Sequence, residues 1–197
     1  MLPQSADPTA ATLEPLIRLI GAERWRRRLN EIRDLAAAGP RAGQAIRQRH
    51  VVELTIEKLR RPTNPPHWVT EALLGRIAQE ITAVAARLTR PGRDRLVEQL
   101  RLCLTDANTL IPVFHLIRTA SLQQSRGFAV TFTGLDHGTP HDLVLRRDNT
   151  EAHVACDVVT AEEGRGLHRG AWFRLADRID PDLQTWLAAH PGAICSR

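Results

Sequence analysis

Apolar positions along the chain fall into two rhythms, and the change between them divides it. From Leu13 to Ala38 they recur every three or four residues, at Leu13, Leu16, Ile17, Ile20, Trp25, Leu29, Ile32 and Ala36. That spacing predicts an amphipathic helix, bent at Gly21 and stopped by Gly39-Pro40. A second helix is expected over about Ala42–Leu59, closed by the linker Arg61-Pro62-Thr63-Asn64-Pro65-Pro66. A third should span about Trp68–Leu88 and stop at Arg90-Pro91-Gly92. The fourth, about Arg93–Leu104, puts Leu96, Leu100 and Cys103/Leu104 on one face. A fifth, capped by Asp106 or Asn108 and tolerating Pro112 in its first turn, should run through Gln123 and end at Gly127.

Beyond Gly127 the period becomes two. Strands are expected near 128–133, 142–147 and 151–159, because Phe128, Val130 and Phe132 share one face and Ala129, Thr131 and Thr133 the other. In the third, His153, Ala155 and Asp157 share a face opposite Val154, Cys156 and Val158. A helix should follow from about Leu167. Its stripe of Trp172, Leu175, Ala176, Ile179, Leu183, Trp186 and Leu187, interrupted by Asp180-Pro181, reads as two helices packing on the sheet. The expected organisation is a frayed terminus over 1–12, an all-helical domain over 13–105 and an α/β domain over 106–197.

Charge is uneven over these parts. Residues 1–110 hold 17 arginines and one lysine, Lys58, against 12 acidic residues, whereas residues 111–197 hold 9 arginines against 10 acids. A basic helical part fits either a polyanionic partner or a well-solvated surface. Arg24, Arg27 and Arg28, with Arg26 and Arg33, are the densest cluster and the candidate contacts to nucleic-acid phosphates. Against that stand Glu23 and Glu31, at i,i+4 spacing from Arg27, and Trp25, which lies on the apolar stripe. Cys103, Cys156 and Cys195 have no CxxC spacing, so neither a disulfide framework nor a zinc finger is expected. The first residues lack a signal-peptide pattern and no apolar run reaches membrane-span length, so a reduced, cytoplasmic protein is expected.

The order helix, strand, strand, strand, helix, with Asp142 opening the second strand signal and Asp157 near the end of the third, resembles the PD-(D/E)xK nuclease superfamily. The likeness covers roughly the last 85–90 residues, at the boundary accuracy sequence reading allows. It implies a mixed α/β, restriction-endonuclease-like α-β-β-β-α core of three layers with Asp142 as the first metal-binding aspartate; in a rearranged site Asp142 and Asp157 would hold the metal together. Mg²⁺ or Mn²⁺ would be the cofactor and DNA or RNA the partner. Such cores usually add a strand after the second helix, for which only Gly192–Arg197 remain, so a short or truncated last strand is expected.

The match departs from the family at its chemistry. Aligning Val154–Arg165 on the (D/E)xK element puts Ala155 where the acid belongs and Asp157 where the lysine belongs. Phosphodiester hydrolysis needs a hard cation in oxygen ligands and positive charge near the phosphate. At about 4 Å and an effective dielectric near 20, reversing one unit charge is an effect of several kcal/mol. Arg165 or His168, at the start of the next helix, are the candidates to replace the missing cation. The four histidines His137, His141, His153 and His168 do not have the spacing of a closed zinc motif. Cys156 and His153, three apart on a strand, point to opposite faces and cannot form a nucleophile pair.

Three functions stay open. The leading one is a nuclease-fold protein with a degenerate site, associated with nucleic acid or regulatory. The second is an active divalent-metal nuclease using Asp142, Asp157, Arg165 and His168. The third is a protein-interaction module without a nucleic-acid role.

Overall fold

A computed structural model describes residues 10–60, 69–159 and 169–190. Its helices are α1 (Ala10–Ile20), α2 (Ala22–Ala36), α3 (Pro40–Arg49), α4 (Val51–Leu59), α5 (Val69–Arg87), α6 (Arg90–Leu102), α7 (Ile111–Ser125), the short α8 (Thr133–His137) and α9 (Arg169–Ala189). Strands β1 (Ala129–Thr131), β2 (Leu143–Arg147) and β3 (Thr150–Val154) form one antiparallel sheet in the order β1-β2-β3. The class is mixed α+β, predominantly helical.

The residues cluster into two compact units, each discontinuous in sequence. One comprises Met1–Leu29 and Val51–Val158, the other Asn30–His50 and Val159–Arg197. Position 105–106, the expected domain boundary, falls inside the first. There the helical stripes and the inner face of β2 share one core: Leu13, Leu16, Ile56, Ile81, Leu96, Leu100, Leu110 and Leu143 are wholly buried. Neither the helices nor the sheet could cover its own apolar face alone.

Punctuation decides several element ends. Gly21 adopts φ +103°, which glycine reaches without steric cost, so the bend expected there is a break between α1 and α2. The single helix expected over 42–59 is two, α3 and α4, separated at His50. The third helix expected, α5, ends at Arg87, about where it is expected to, and Pro91 belongs to the next helix rather than to the gap between them. It sits in the first turn of α6, where a missing N–H costs nothing, and Thr89 Oγ1 accepts the Gly92 N–H at 3.2 Å.

Neither Asp106 nor Asn108 caps α7. The cap residue is Leu110, and its N–H donates to the Glu53 carboxylate at 2.9 Å. At the other end, Gly127 has φ +86°, the Phe128 N–H reaches Gln123 O at 3.1 Å and the Gly127 N–H reaches Gln124 O at 3.0 Å. This pair of bonds satisfies the last carbonyls of α7 and turns the chain into β1.

Strand alternation agrees with the burial. Phe128 and Val130 are half-buried and Phe132 buried, while Ala129 and Thr131 are exposed. Two residues, Asp148 (φ +53°) and Asn149, join β2 to β3, with Arg147 facing Thr150. β3 stops at Val154, short of the expected 159. Its partner β2 begins only at Leu143, because the chain before it turns away through Pro140-His141 into α8, leaving 155–159 no ladder to join.

In the second unit α9 is one helix with Pro181 inside it, rather than two. Proline removes one N–H from the ladder, and Thr185 Oγ1 donates to the Pro181 carbonyl at 2.9 Å within the same turn region. α9 packs on α3, its partner within the unit, and not one of its residues is buried. Asp177 of α9 caps α3, accepting the N–H groups of Arg41 at 3.1 Å and Ala42 at 2.8 Å.

Candidate functional site

Of the site residues expected from the sequence, Asp142 and Asp157 flank the open end of the β2–β3 hairpin in the chain. Register fixes the placement of Asp142. Leu143 faces Val154, so the next step outward brings Asp142 level with Ala155. The Asp142 N–H donates to Val154 O at 2.9 Å, extending the ladder by one bond. Its carboxylate Oδ2 then accepts the Cys156 N–H at 2.7 Å. That short bond gives an amide beyond the end of β3 the acceptor no strand supplies, and half-buries the carboxylate.

Asp157 lies past the end of β3, exposed, and its Oδ1 accepts the N–H of the adjacent Val158 at 2.7 Å. Ala155, level with Asp142, contributes a methyl group. Arg165 and His168 lie outside the described residues. Among the described residues, no three histidine, cysteine or acidic side chains gather into a group able to hold a metal ion.

Beside Asp142 the imidazoles of His141 and His153 stack, with centroids 4.2 Å apart and planes 28° from parallel. His153 Nε2 meets Glu151 Oε1 at 3.0 Å, and Arg146 Nε donates to Glu151 Oε2 at 2.6 Å. The His153 hydrogen bond, and then that of Arg146, hold the Glu151 carboxyl below its ordinary range. His153 is exposed on the outer face while Cys156 turns inward, as alternation predicts. Burial, then the Asp142 charge, push the Cys156 thiol up, so it stays protonated and a poor nucleophile at neutral pH.

The arginine cluster on α2 separates into two kinds. Arg24 and Arg27 are exposed. Arg28, expected with them on a phosphate-facing surface, is 2% exposed, and its Nη2 donates to the carbonyls of Asp106 at 2.8 Å and Asn108 at 2.9 Å. It cannot reach a polyanion, because its guanidinium pins the 106–108 turn. Glu23 pairs with Arg26 at 2.7 Å, one residue nearer than the Arg27 partner expected. Trp25 is core, as its place on the stripe predicts, and its Nε1–H donates to Glu57 at 3.1 Å. An open cleft between α1, α5 and α6 carries Arg18 and Arg93 over Leu19 and Ala85 and includes none of the expected site residues.

Two carboxylates of consequence, one buried and one half-buried, were not singled out by the sequence. Glu53 is wholly buried, one turn before Ile56 on the apolar side of α4, and an acid interrupting a stripe is the signal that marks it. Asp177 has no such signal, since its target lies 135–136 residues away. No protein-family model, curated protein or solved structure matches the chain.

Proposed function

We propose that this chain is a nuclease-fold protein whose catalytic site has degenerated and which associates with nucleic acid through its basic helical surface. The observation that carries the reading is the Asp142 carboxylate. It stands where the family's first metal ligand would, yet Oδ2 is held at 2.7 Å by a backbone N–H, a structural use. Ala155 supplies no second ligand at the matching level of β3, and Asp157 presents negative charge where the chemistry needs positive. The succession α7, β1, β2 and β3, with the short α8 between β1 and β2, supports the likeness. Exposed Arg24 and Arg27 support a contact to phosphates that positions without reading sequence.

Purified full chain incubated with duplex and single-stranded DNA and RNA in Mg²⁺ or Mn²⁺ should leave them uncut. Fluorescence anisotropy should report binding that weakens steeply with salt, and Arg24→Glu with Arg27→Glu should weaken it at least tenfold at low salt. Cleavage abolished by Asp142→Ala in a folded protein would establish instead a rearranged active nuclease. Absence of both cleavage and binding would leave the interaction-module reading.

A further inference from the structure

Among the described residues of its unit, α9 carries an apolar strip that α3 does not cover. Trp172, Leu175, Ile179, Leu183 and Trp186 are 54%, 45%, 49%, 46% and 50% exposed. At about 100° per residue all five fall within about 80° of arc. The side facing α3 is elsewhere: Asp177, which caps α3, stands about 160° around the helix from Ile179. Five half-exposed large apolar side chains in one line exceed the isolated exposed leucine that needs no explanation.

The strip has a property that selects its occupant. Its spacing is symmetric about Ile179, with Leu175 and Leu183 four residues to either side and Trp172 and Trp186 seven. Read from either end, the pattern is the same. Two such helices laid antiparallel set Ile179 against Ile179 on a two-fold axis, Leu175 level with Leu183, and Trp172 level with Trp186.

The charges agree with that arrangement. Arg178 and Asp182, both exposed, border the same edge of the strip. In the antiparallel register they come within about 3 Å in level of each other's counterparts, giving two Arg–Asp contacts by symmetry. Opposed helix macrodipoles favour the same orientation. Trp186 is already held, its ring stacked on His190 with centroids 4.5 Å apart.

We propose that α9 is a homodimerisation helix, pairing antiparallel with α9 of a second copy of this chain through the strip centred on Ile179. The interface is isologous, each residue of the strip meeting its symmetry-related counterpart. A strip about 21 Å long and about 10 Å wide is smaller than the roughly 800 Å² per partner of standard stable interfaces. The dimer is therefore reversible and concentration-dependent.

Sedimentation velocity of the full chain should show monomer passing to dimer between about 1 and 100 μM. Ile179→Asp, on an exposed position, should raise the dissociation constant at least tenfold with an unchanged far-UV circular dichroism spectrum. Should that variant lose helix content, charge reversal replaces it. Arg178→Asp or Asp182→Arg alone should weaken the dimer, and the two together in one chain should restore it. Orientation is read by mild oxidation of cysteine variants, scored above the unsubstituted chain. Trp172→Cys mixed with Trp186→Cys should give the heterologous crosslink, while neither crosslinks efficiently to itself. Monomer at every concentration, self-crosslinking of Trp172→Cys, or dimer indifferent to Ile179→Asp and to both charge reversals would overturn the proposal. A monomer would assign the strip to another part of the same chain or to a different protein.

Discussion

Glu53→Ala should be among the more destabilising single substitutions in this chain. The carboxylate is wholly buried and accepts the N–H of Leu110, itself wholly buried, at 2.9 Å. Truncation leaves that N–H where water cannot replace the acceptor, at a cost of about 1–3 kcal/mol. It also removes negative charge from the first turn of α7, worth about 0.3–1 kcal/mol, and opens a cavity worth about 1 kcal/mol. The total is about 2–5 kcal/mol.

Glu53→Gln separates these causes. The amide oxygen can still accept from Leu110 and the volume is kept, while the burial of a charge is relieved, so the loss should stay below about 1.5 kcal/mol. Urea unfolding followed by circular dichroism measures both. A second readout is Cys103, whose thiol is pushed up to about 11, first by burial and then by the Glu53 charge. Both substitutions should lower it, though not to the ordinary thiol value, because burial persists. The pH dependence of alkylation reports this. If Ala and Gln variants agree within about 0.5 kcal/mol, or Cys103 ionises as in the parent, Glu53 does not act through this bond and its charge.

Other substitutions test separate joints of the fold. Asp142→Ala should speed amide exchange of Cys156 at least tenfold, since a charge-assisted bond to that N–H is worth about 1.5–3 kcal/mol, and should make the Cys156 thiol easier to ionise. Asp177 is held below its ordinary 3.8, burial opposing but the Ala42 and Arg41 N–H groups and the Arg41 guanidinium prevailing. Its contribution to the α3–α9 pairing is therefore present above about pH 3.8 and lost as pH falls through the lower folded value. Asp177→Ala should remove that acid dependence, measured as unfolding midpoint against pH, and an unchanged profile would refute the cap. Cys103, raised in the folded state, predicts stability that declines as pH rises from 9 towards 11. Gly127→Ala, at φ +86°, should cost about 1–2 kcal/mol in the same unfolding assay.

Local pattern alone determined a good part of this protein. The three-to-four-residue rhythm marked the helical faces that become the core, and Trp25 is buried because it falls on one of them. The switch to period two after Gly127 located the strands, and alternation put Cys156 inward and His153 outward before any partner was known. These features are legible because side-chain direction follows from backbone geometry over a few residues.

What a face packs against, and where a backbone bond ends, are not local quantities. Arg28 differs from Arg24 and Arg27 because two carbonyls 78–80 residues away receive its guanidinium. β3 ends at Val154 because β2 offers no partner beyond Leu143, and α7 is capped by Glu53 from another helix rather than by Asp106 or Asn108. The break at His50 assigns α3 and α4 to different units although one continuous helix is expected over 42–59. On α9 the apolar stripe was legible, but its coverage was not: periodicity says which residues share a face, and only tertiary packing decides whether that face meets a core or water.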